Sequence, residues 1–221
     1  LKVISAPGEE SETSTDSSGV FMSSKIVMIK VVLIGDGEVG KTSIVQRYMG
    51  HGFNPQYLKT IGANFYTRQL EYYDERVGNL KIGLIVWDLA GQPYFDEVRE
   101  QYYRGARAAI VVFDVSNPKS LKNVPNWLNE FWKNVNNKYP CVLVGNKIDL
   151  REAVDTLPPE EGAKLAKKLS EELGFEVPYI ESSAKTGENI ELIFQTIIKL
   201  AMDYIIRKVQ KAKNSSRISE V

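Results

Sequence analysis

The chain has one cysteine, Cys141, and one histidine, His51, in 221 residues. A single cysteine excludes an internal disulfide framework and a cysteine-built zinc site, and it fits a reducing cytosol. Cys141 sits in the apolar run Cys141-Val142-Leu143-Val144 and reads as a small buried strand residue, not as a reactive thiol. His51 has no partner nearby in sequence and is given no role. There is no charge excess either: Lys plus Arg and Asp plus Glu each number 28. A nucleic-acid binder would show a basic surplus, so that class is disfavoured. No apolar run approaches the ~20 residues that cross a bilayer as a helix. What is present is ordinary for a soluble globular chain, with 43% hydrophobic residues and length for one domain with tails.

One stretch organises the rest: Gly35-Asp36-Gly37-Glu38-Val39-Gly40-Lys41-Thr42. It follows an apolar run, 26–34, that reads as a buried strand. It precedes Ser43-Ile44-Val45-Gln46-Arg47-Tyr48, which reads as the first turns of a helix. Two glycines bracketing four residues, then Lys and Thr, form the phosphate-loop pattern. Glycines let consecutive backbone N–H groups turn inward around an anion, and the helix N-terminus adds its positive dipole end. Lys41 is expected to neutralise the β- and γ-phosphates, and the Thr42 hydroxyl to ligate Mg²⁺. Gly35, Gly37 and Gly40 also spell the dinucleotide fingerprint, which needs an acid about 20 positions on. No Asp or Glu occurs between Glu38 and Glu71, so that reading fails.

Residues 1–24 are rich in Ser, Thr and Glu, with Glu9, Glu10, Glu12 and Asp16 against Lys2. Such a stretch buries too little to offset its ordering entropy and is expected to be a disordered lead-in without a secretory pattern. From Ile26 strands and helices alternate, which argues for a mostly parallel sheet covered on both faces. Residues 63–73 and 80–87 read as a hairpin about a polar turn. Residues 108–114, 141–145 and 177–181 read as further strands, which makes six. Asn117-Pro118 starts a helix whose stripe is Leu121, Val124, Leu128, Phe131 and Val135, with Pro125 expected to kink or delay it. Residues 158–173 form an amphipathic helix closed by Gly174. Residues 188–209 form a last helix with Ile190, Ile193, Phe194, Ile197, Ile198, Ala201 and Ile205 on its core face. The domain is expected to span 25–206, with a basic tail at 207–221.

The phosphate loop does not choose a base; Asn146-Lys147-Ile148-Asp149 does. It lies at the end of a buried strand, where ligands bind in open α/β sheets. Guanine presents two donors on one edge, and a carboxylate such as Asp149 accepts both. Adenine lacks that pair and would leave the acid unsatisfied. Ser183-Ala184-Lys185, also just past a strand, can offer a backbone N–H to the guanine carbonyl.

Taken in order, Gly35–Thr42, Thr60, Asp88-Leu89-Ala90-Gly91-Gln92, Asn146–Asp149 and Ser183–Lys185 resemble the small GTPases of the Ras superfamily over roughly residues 30–202. Within it, Ile61-Gly62-Ala63-Asn64-Phe65, Trp87-Asp88, Tyr102-Tyr103-Arg104-Gly105-Ala106 and Val111-Val112-Phe113-Asp114-Val115 look most like Rab. The resemblance implies an α/β P-loop NTPase fold, a small G-domain. Its six-stranded, mostly parallel sheet would have one antiparallel hairpin strand and helices on both faces.

It implies a GTP-binding, GTP-hydrolysing switch with Mg²⁺ as cofactor. Thr60 is similar to the switch threonine that ligates Mg²⁺ and meets the γ-phosphate. Asp88 would hold Mg²⁺ through water, Gly91 would place an N–H on the γ-phosphate, and Gln92 would orient the attacking water. Gly35, Gly37, Glu38, Val39, Gly40, Lys41, Thr42 and Ser43 would line the phosphates. Phe53 takes the place of an aromatic against guanine, with simple packing as the competing reading. Tyr57 takes that of a tyrosine closing over the phosphates. Asn146 would tie the base loop to the phosphate loop, and Lys147 would pack beside guanine. Ile61, Phe65, Trp87 and Tyr102 would form an effector surface, against the alternative that three aromatics are core. The expected partners are effectors, exchange factors and GTPase-activating proteins.

The departures concern speed. Leu89 replaces the usual Thr, and Pro93-Tyr94 replaces the usual Glu-Arg, with Pro93 restricting Gln92 to extended backbone. Leu58 stands where an internal catalytic arginine would be, and an arginine finger is worth ~10³–10⁵ in rate. Slow intrinsic hydrolysis, stimulated by a partner, is expected. A nucleotide-gated scaffold without useful turnover is the alternative, and Asp149 disfavours an ATP-using P-loop kinase. The sequence ends Ser219-Glu220-Val221 without the cysteine that a prenyl anchor needs. A cytoplasmic monomer is expected, with weak peripheral membrane contact through Arg207, Lys208, Lys211, Lys213 and Arg217, or simply a solvated helix end.

Overall fold

The structure, a computed structural model, describes residues 26–53, 60–91 and 96–218. Six strands form one sheet: β1 (Ile26–Ile34), β2 (Ala63–Asp74), β3 (Gly78–Leu89), β4 (Ala108–Asp114), β5 (Cys141–Asn146) and β6 (Tyr179–Ser182). Their order is β2-β3-β1-β4-β5-β6. Only β2 runs antiparallel, paired with β3 from Ala63 opposite Leu89 to Asp74 opposite Gly78. The expected mostly parallel sheet with one hairpin strand is therefore what forms. Five helices accompany it: α1 (Lys41–Tyr48), α2 (Asp96–Tyr103), α3 (Pro118–Val135), α4 (Pro159–Leu173) and α5 (Ile190–Ile218).

Because side chains alternate along a strand, each central strand feeds two cores. Ile29, Val31 and Leu33 of β1 join Ile110 and Val112 of β4 against α1 and α5. Val32 and Ile34 join Val111 and Phe113 against α2, α3 and α4. On the first face Tyr48 stacks on Phe194 at 3.7 Å between ring centres, fixing α1 to α5. On the second, a Cβ at Gly162 would lie 2.3 Å from the Tyr179 ring. That glycine lets α4 approach β6 closely.

Several boundaries differ from the sequence expectation for physical reasons. The start of α3 is not delayed by Pro125, which lies inside the helix. Asn117 caps it by accepting from the Lys119 N–H at 3.2 Å, and it runs on to Val135. Interior proline costs about 3 kcal/mol, but this helix buries Val124, Leu128 and Phe131 completely. Trp127 and Trp132 are buried as well, beyond the expected stripe. The α5 helix starts at Ile190, not at residue 188, and continues to Ile218, so the basic run beginning at Arg207 is helical. Its core face includes Met202 and Ile206, while Ile205 is only partly buried. Short α2 escaped the sequence reading altogether.

The topology also sets the site. The central β1 has β3 on one side and β4 on the other. Loops leaving the carboxyl ends of such neighbouring strands diverge and leave a crevice, the usual ligand position in an open α/β sheet.

Candidate functional site

The crevice is built from the phosphate loop outward. Gly35 has φ +135°, and a Cβ there would lie 2.1 Å from the Val112 carbonyl oxygen. Gly40 has φ +97°, and a Cβ there would meet the Asn146 amide nitrogen at 2.3 Å. Both positions demand glycine because of backbone sign and contact together. Glu38 holds a left-handed φ of 69° without being glycine, a conformation uncommon for a side chain of its kind. The loop delivers the chain directly into α1, whose N-terminus faces the crevice.

Lys41 is buried within that turn. Its Nζ donates to the Gly35 carbonyl at 2.6 Å and the Asp36 carbonyl at 2.7 Å. Burial pushes its pKa down to about 8, against the opposing pull of Asp88 and Asp36. A cation held on backbone carbonyls in a dry loop is strongly attractive to an anion that would complete its pairing.

Beside it, three oxygens converge. The Thr42 hydroxyl donates to Asp88 Oδ2 at 2.6 Å and shares a 2.8 Å hydrogen bond with the Thr60 hydroxyl. Asp88 is fully buried, and its Oδ1 has no hydrogen-bond partner among the described residues. Burial raises the Asp88 pKa, with the Thr42 hydroxyl and the Lys41 charge pulling the other way. This set fits Mg²⁺: the donors are hard oxygens, and neighbouring ligands of an octahedron with ~2.1 Å bonds sit ~3 Å apart. No group of three or more His, Cys, Asp or Glu among the described residues could hold a metal.

Gly91 is where the hairpin strand β3 returns to the phosphate loop. A Cβ at Gly91 would lie 2.5 Å from the Gly35 carbonyl oxygen and the Asp36 carbonyl carbon. Only glycine permits that approach. The Ala90 N–H donates to the Gly62 carbonyl at 2.9 Å, linking the segments that carry Thr60 and Gly91. Gln92, Pro93 and Tyr94 lie outside the described residues, as do Tyr57 and Leu58.

At the other end of the crevice the expected base-reading residues meet. The Asn146 side chain donates to the Val39 carbonyl at 2.8 Å and accepts from the Ala184 N–H at 3.2 Å and the Ser182 hydroxyl at 3.3 Å. One amide therefore joins the phosphate loop to the loop after β6. Asp149 accepts from the Ser183 hydroxyl at 2.6 Å, with the Lys185 ammonium 3.7 Å from its other oxygen. Lys147, with φ 72°, pairs with Asp114 at 2.7 Å. Phe53 is exposed with no ring contact among the described residues.

Beyond the crevice, Ile61 is 83% exposed and Phe65 62%. The Phe65 and Tyr102 rings flank Trp87 at 5.5 and 5.2 Å between centres. Trp87 and Tyr102 are half-buried.

Sequence reasoning missed the anchor of the loop's second residue. Asp36 accepts from the Asn123 amide and from the Trp127 indole N–H, each at 2.7 Å. Asn123 and Trp127 are four residues apart on α3 and so share a face. That i, i+4 spacing of two side-chain donors on α3 was the available signal.

A mostly parallel sheet with a phosphate loop at its centre, a threonine–aspartate oxygen cluster and the loops after β5 and β6 joined through Asn146 define the class of P-loop nucleotide-binding proteins. Comparison with known proteins agrees. The Ras family model ("Ras: Ras family") matches residues 30–203. Ras-related protein Rab7 of Pisum sativum is 39% identical over 181 residues, covering 79% of this chain and 82% of that protein. Ras-related protein RABG3f of Arabidopsis thaliana is 38% identical with the same coverage. The Ypt/Rab-type GTPase YPT7 of Saccharomyces cerevisiae is 35% identical over 179 residues, again at 79% and 82% coverage. The chain belongs to the Ras family. It is a Rab-like small GTPase, a switch that binds GTP and GDP, hydrolyses GTP and works through regulators and effectors. A scaffold without turnover is not favoured. No helix among the described residues is long and apolar enough to cross a membrane.

Proposed function

We propose that the switch reads the γ-phosphate through the oxygen cluster of Thr42, Thr60 and Asp88. The observation that carries this reading is the pair of short bonds joining Thr42 of α1, Asp88 of β3 and Thr60 from the segment before β2 at 2.6 and 2.8 Å. Thr42, Thr60 and water held by Asp88 would bind Mg²⁺, which when bound supplies neutralisation of phosphate charge. The phosphate loop from Gly35 to Ser43 wraps the phosphates, and Lys41 leaves its carbonyl partners for the β- and γ-phosphate oxygens. Gly91 offers its N–H to the γ-phosphate. Gln92 orients a water for attack on the γ-phosphorus as the bond to the GDP oxygen breaks, giving GDP and inorganic phosphate. Tyr57 closes over the phosphates.

Asp149 accepts the two guanine donors, the Ala184 N–H turns to the guanine carbonyl, and Lys147 and Phe53 flank the base. Loss of the γ-phosphate removes one partner each from Thr60 and Gly91 and so releases both loops. The surface of Ile61, Phe65, Trp87 and Tyr102 reports that change to effectors, since it adjoins both segments.

Single-turnover hydrolysis of preloaded GTP tests the assignment. Gln92→Leu is expected to slow it by about 10²-fold while GDP affinity stays unchanged; equal rates would remove Gln92 from the mechanism.

A further inference from the structure

Arg99 is a charged residue on α2 that is only 2% exposed. Its burial is compensated on every side. Nε donates to Glu130 Oε1 at 2.8 Å and Nη2 to Glu130 Oε2 at 3.1 Å, a two-pronged grip on α3. The guanidinium lies over the Trp127 ring, 4.5 Å from its centre. Nη1 reaches back to the Ala90 carbonyl at 3.4 Å, a long contact. Tyr103 donates to the same Glu130 oxygen at 2.9 Å, and burial together with Glu130 pushes its phenol up, so it stays a donor.

Two facts give this cluster a direction. Ala90 and Arg99 stand on opposite sides, in sequence, of residues 92–95, the segment that contains Gln92, so the Nη1–carbonyl contact ties one side to the other. Trp127, on which Arg99 lies, also donates to Asp36 of the phosphate loop. Asn123, Trp127 and Glu130 recur at helical spacing and form one face of α3. A fork and a stacked plane together restrict a guanidinium in both distance and orientation, which an ammonium would not do.

We propose that Arg99 is a positioning residue for GTP hydrolysis: clamped by Glu130 and Trp127, it fixes the flanks of the Gln92 segment relative to the phosphate loop. It touches no substrate. The inference rests on the reading that Gln92 orients the attacking water, and the measurements separate the two.

Arg99→Met, Arg99→Lys, Glu130→Gln and Gln92→Leu are loaded with GTP and followed in single turnover, alongside the rate of GDP release and tryptophan fluorescence in the GDP and GTP-analogue states. Arg99→Met is expected to slow hydrolysis at least tenfold with GDP release within twofold of wild type. Arg99→Lys should recover only part of the rate, since it keeps the charge and loses the fork. The nucleotide-dependent change in fluorescence should shrink in Arg99→Met, because Trp127 loses its cation. Should Arg99→Met fail to fold, Glu130→Gln decides alone, expected to slow hydrolysis severalfold with GDP release unchanged.

Normal hydrolysis in folded Arg99→Met, or in Glu130→Gln where that variant decides, overturns the proposal while leaving Gln92 in place if Gln92→Leu is slow. Slow Arg99→Met with normal Gln92→Leu overturns it as well, together with the Gln92 reading. Hydrolysis and GDP release altered by the same factor would mark a general loosening and reject a positioning role.

Discussion

The two ends of the crevice are built differently. At the base end, Asn146 meets the Val39 carbonyl, the Ala184 N–H and the Ser182 hydroxyl, and Asp149 is held by Ser183. At the phosphate end, a buried Asp88 oxygen has no hydrogen-bond partner among the described residues and Lys41 rests on backbone carbonyls. A group whose partners are all protein is preorganised, and it discriminates by what it cannot accommodate. A buried charge with an incomplete shell gains most when a ligand completes it. On the proposed assignment, the base end would set which nucleotide enters, and the phosphate end would respond to how many phosphates it carries.

The comparison can be broken most sharply at Asn146, the residue that joins the ends. Asn146→Ala strands the Val39 carbonyl and the Ser182 hydroxyl, and each buried unpaired group costs about 1–3 kcal/mol. GDP affinity should fall by about 10²–10³-fold in a titration, with the melting temperature lowered as well. Survival of full affinity would show that the ends are independent.

Asp149→Asn comes next. It should cost about 10²-fold in GTP binding and move preference toward XTP, whose base carries an acceptor where guanine has a donor; the readout is competition between the two nucleotides. Retained GTP preference would count against the assigned contact.

Chelation of Mg²⁺ acts on the phosphate end alone. It should speed GDP release by about tenfold, or 1.4 kcal/mol, without changing the GDP-over-XDP preference, as stopped-flow exchange would report. A changed base preference would mean that the two ends are coupled through the metal site.

The smallest effect is expected at Ser183. Ser183→Ala removes one 2.6 Å hydrogen bond to Asp149, worth about 1 kcal/mol. Guanine-nucleotide affinity should drop by roughly fivefold, and the hydrolysis rate of bound GTP should not move.

Much of this was legible in the sequence because the informative residues are local. The phosphate loop, Asn146 to Asp149 and Ser183 to Lys185 each sit within a few residues of a strand end, so a short pattern carries both placement and chemistry. Strand alternation likewise gave both faces of the sheet. What stayed hidden depends on contacts between distant elements. Asp36 is an ordinary loop acid until Asn123 and Trp127 of α3 reach it. Arg99 looks like a solvated helix charge until Glu130 and Trp127 close around it. Helix α2, eight residues long with few aliphatic side chains, offers too little periodicity to announce itself. The reach of α5 was underestimated because apolar periodicity fades after Ile206, while residues 207–213 are mostly strong helix formers.

The buried cysteine has a practical side. Cys141 is fully inaccessible in β5, and burial pushes its thiol up to about 12. The 221 residues thus offer no native thiolate at neutral pH. A cysteine introduced at exposed Ile61 or Phe65 would be the one reactive handle for a dye or spin label. State changes near the hairpin could then be followed in real time without first removing any native residue.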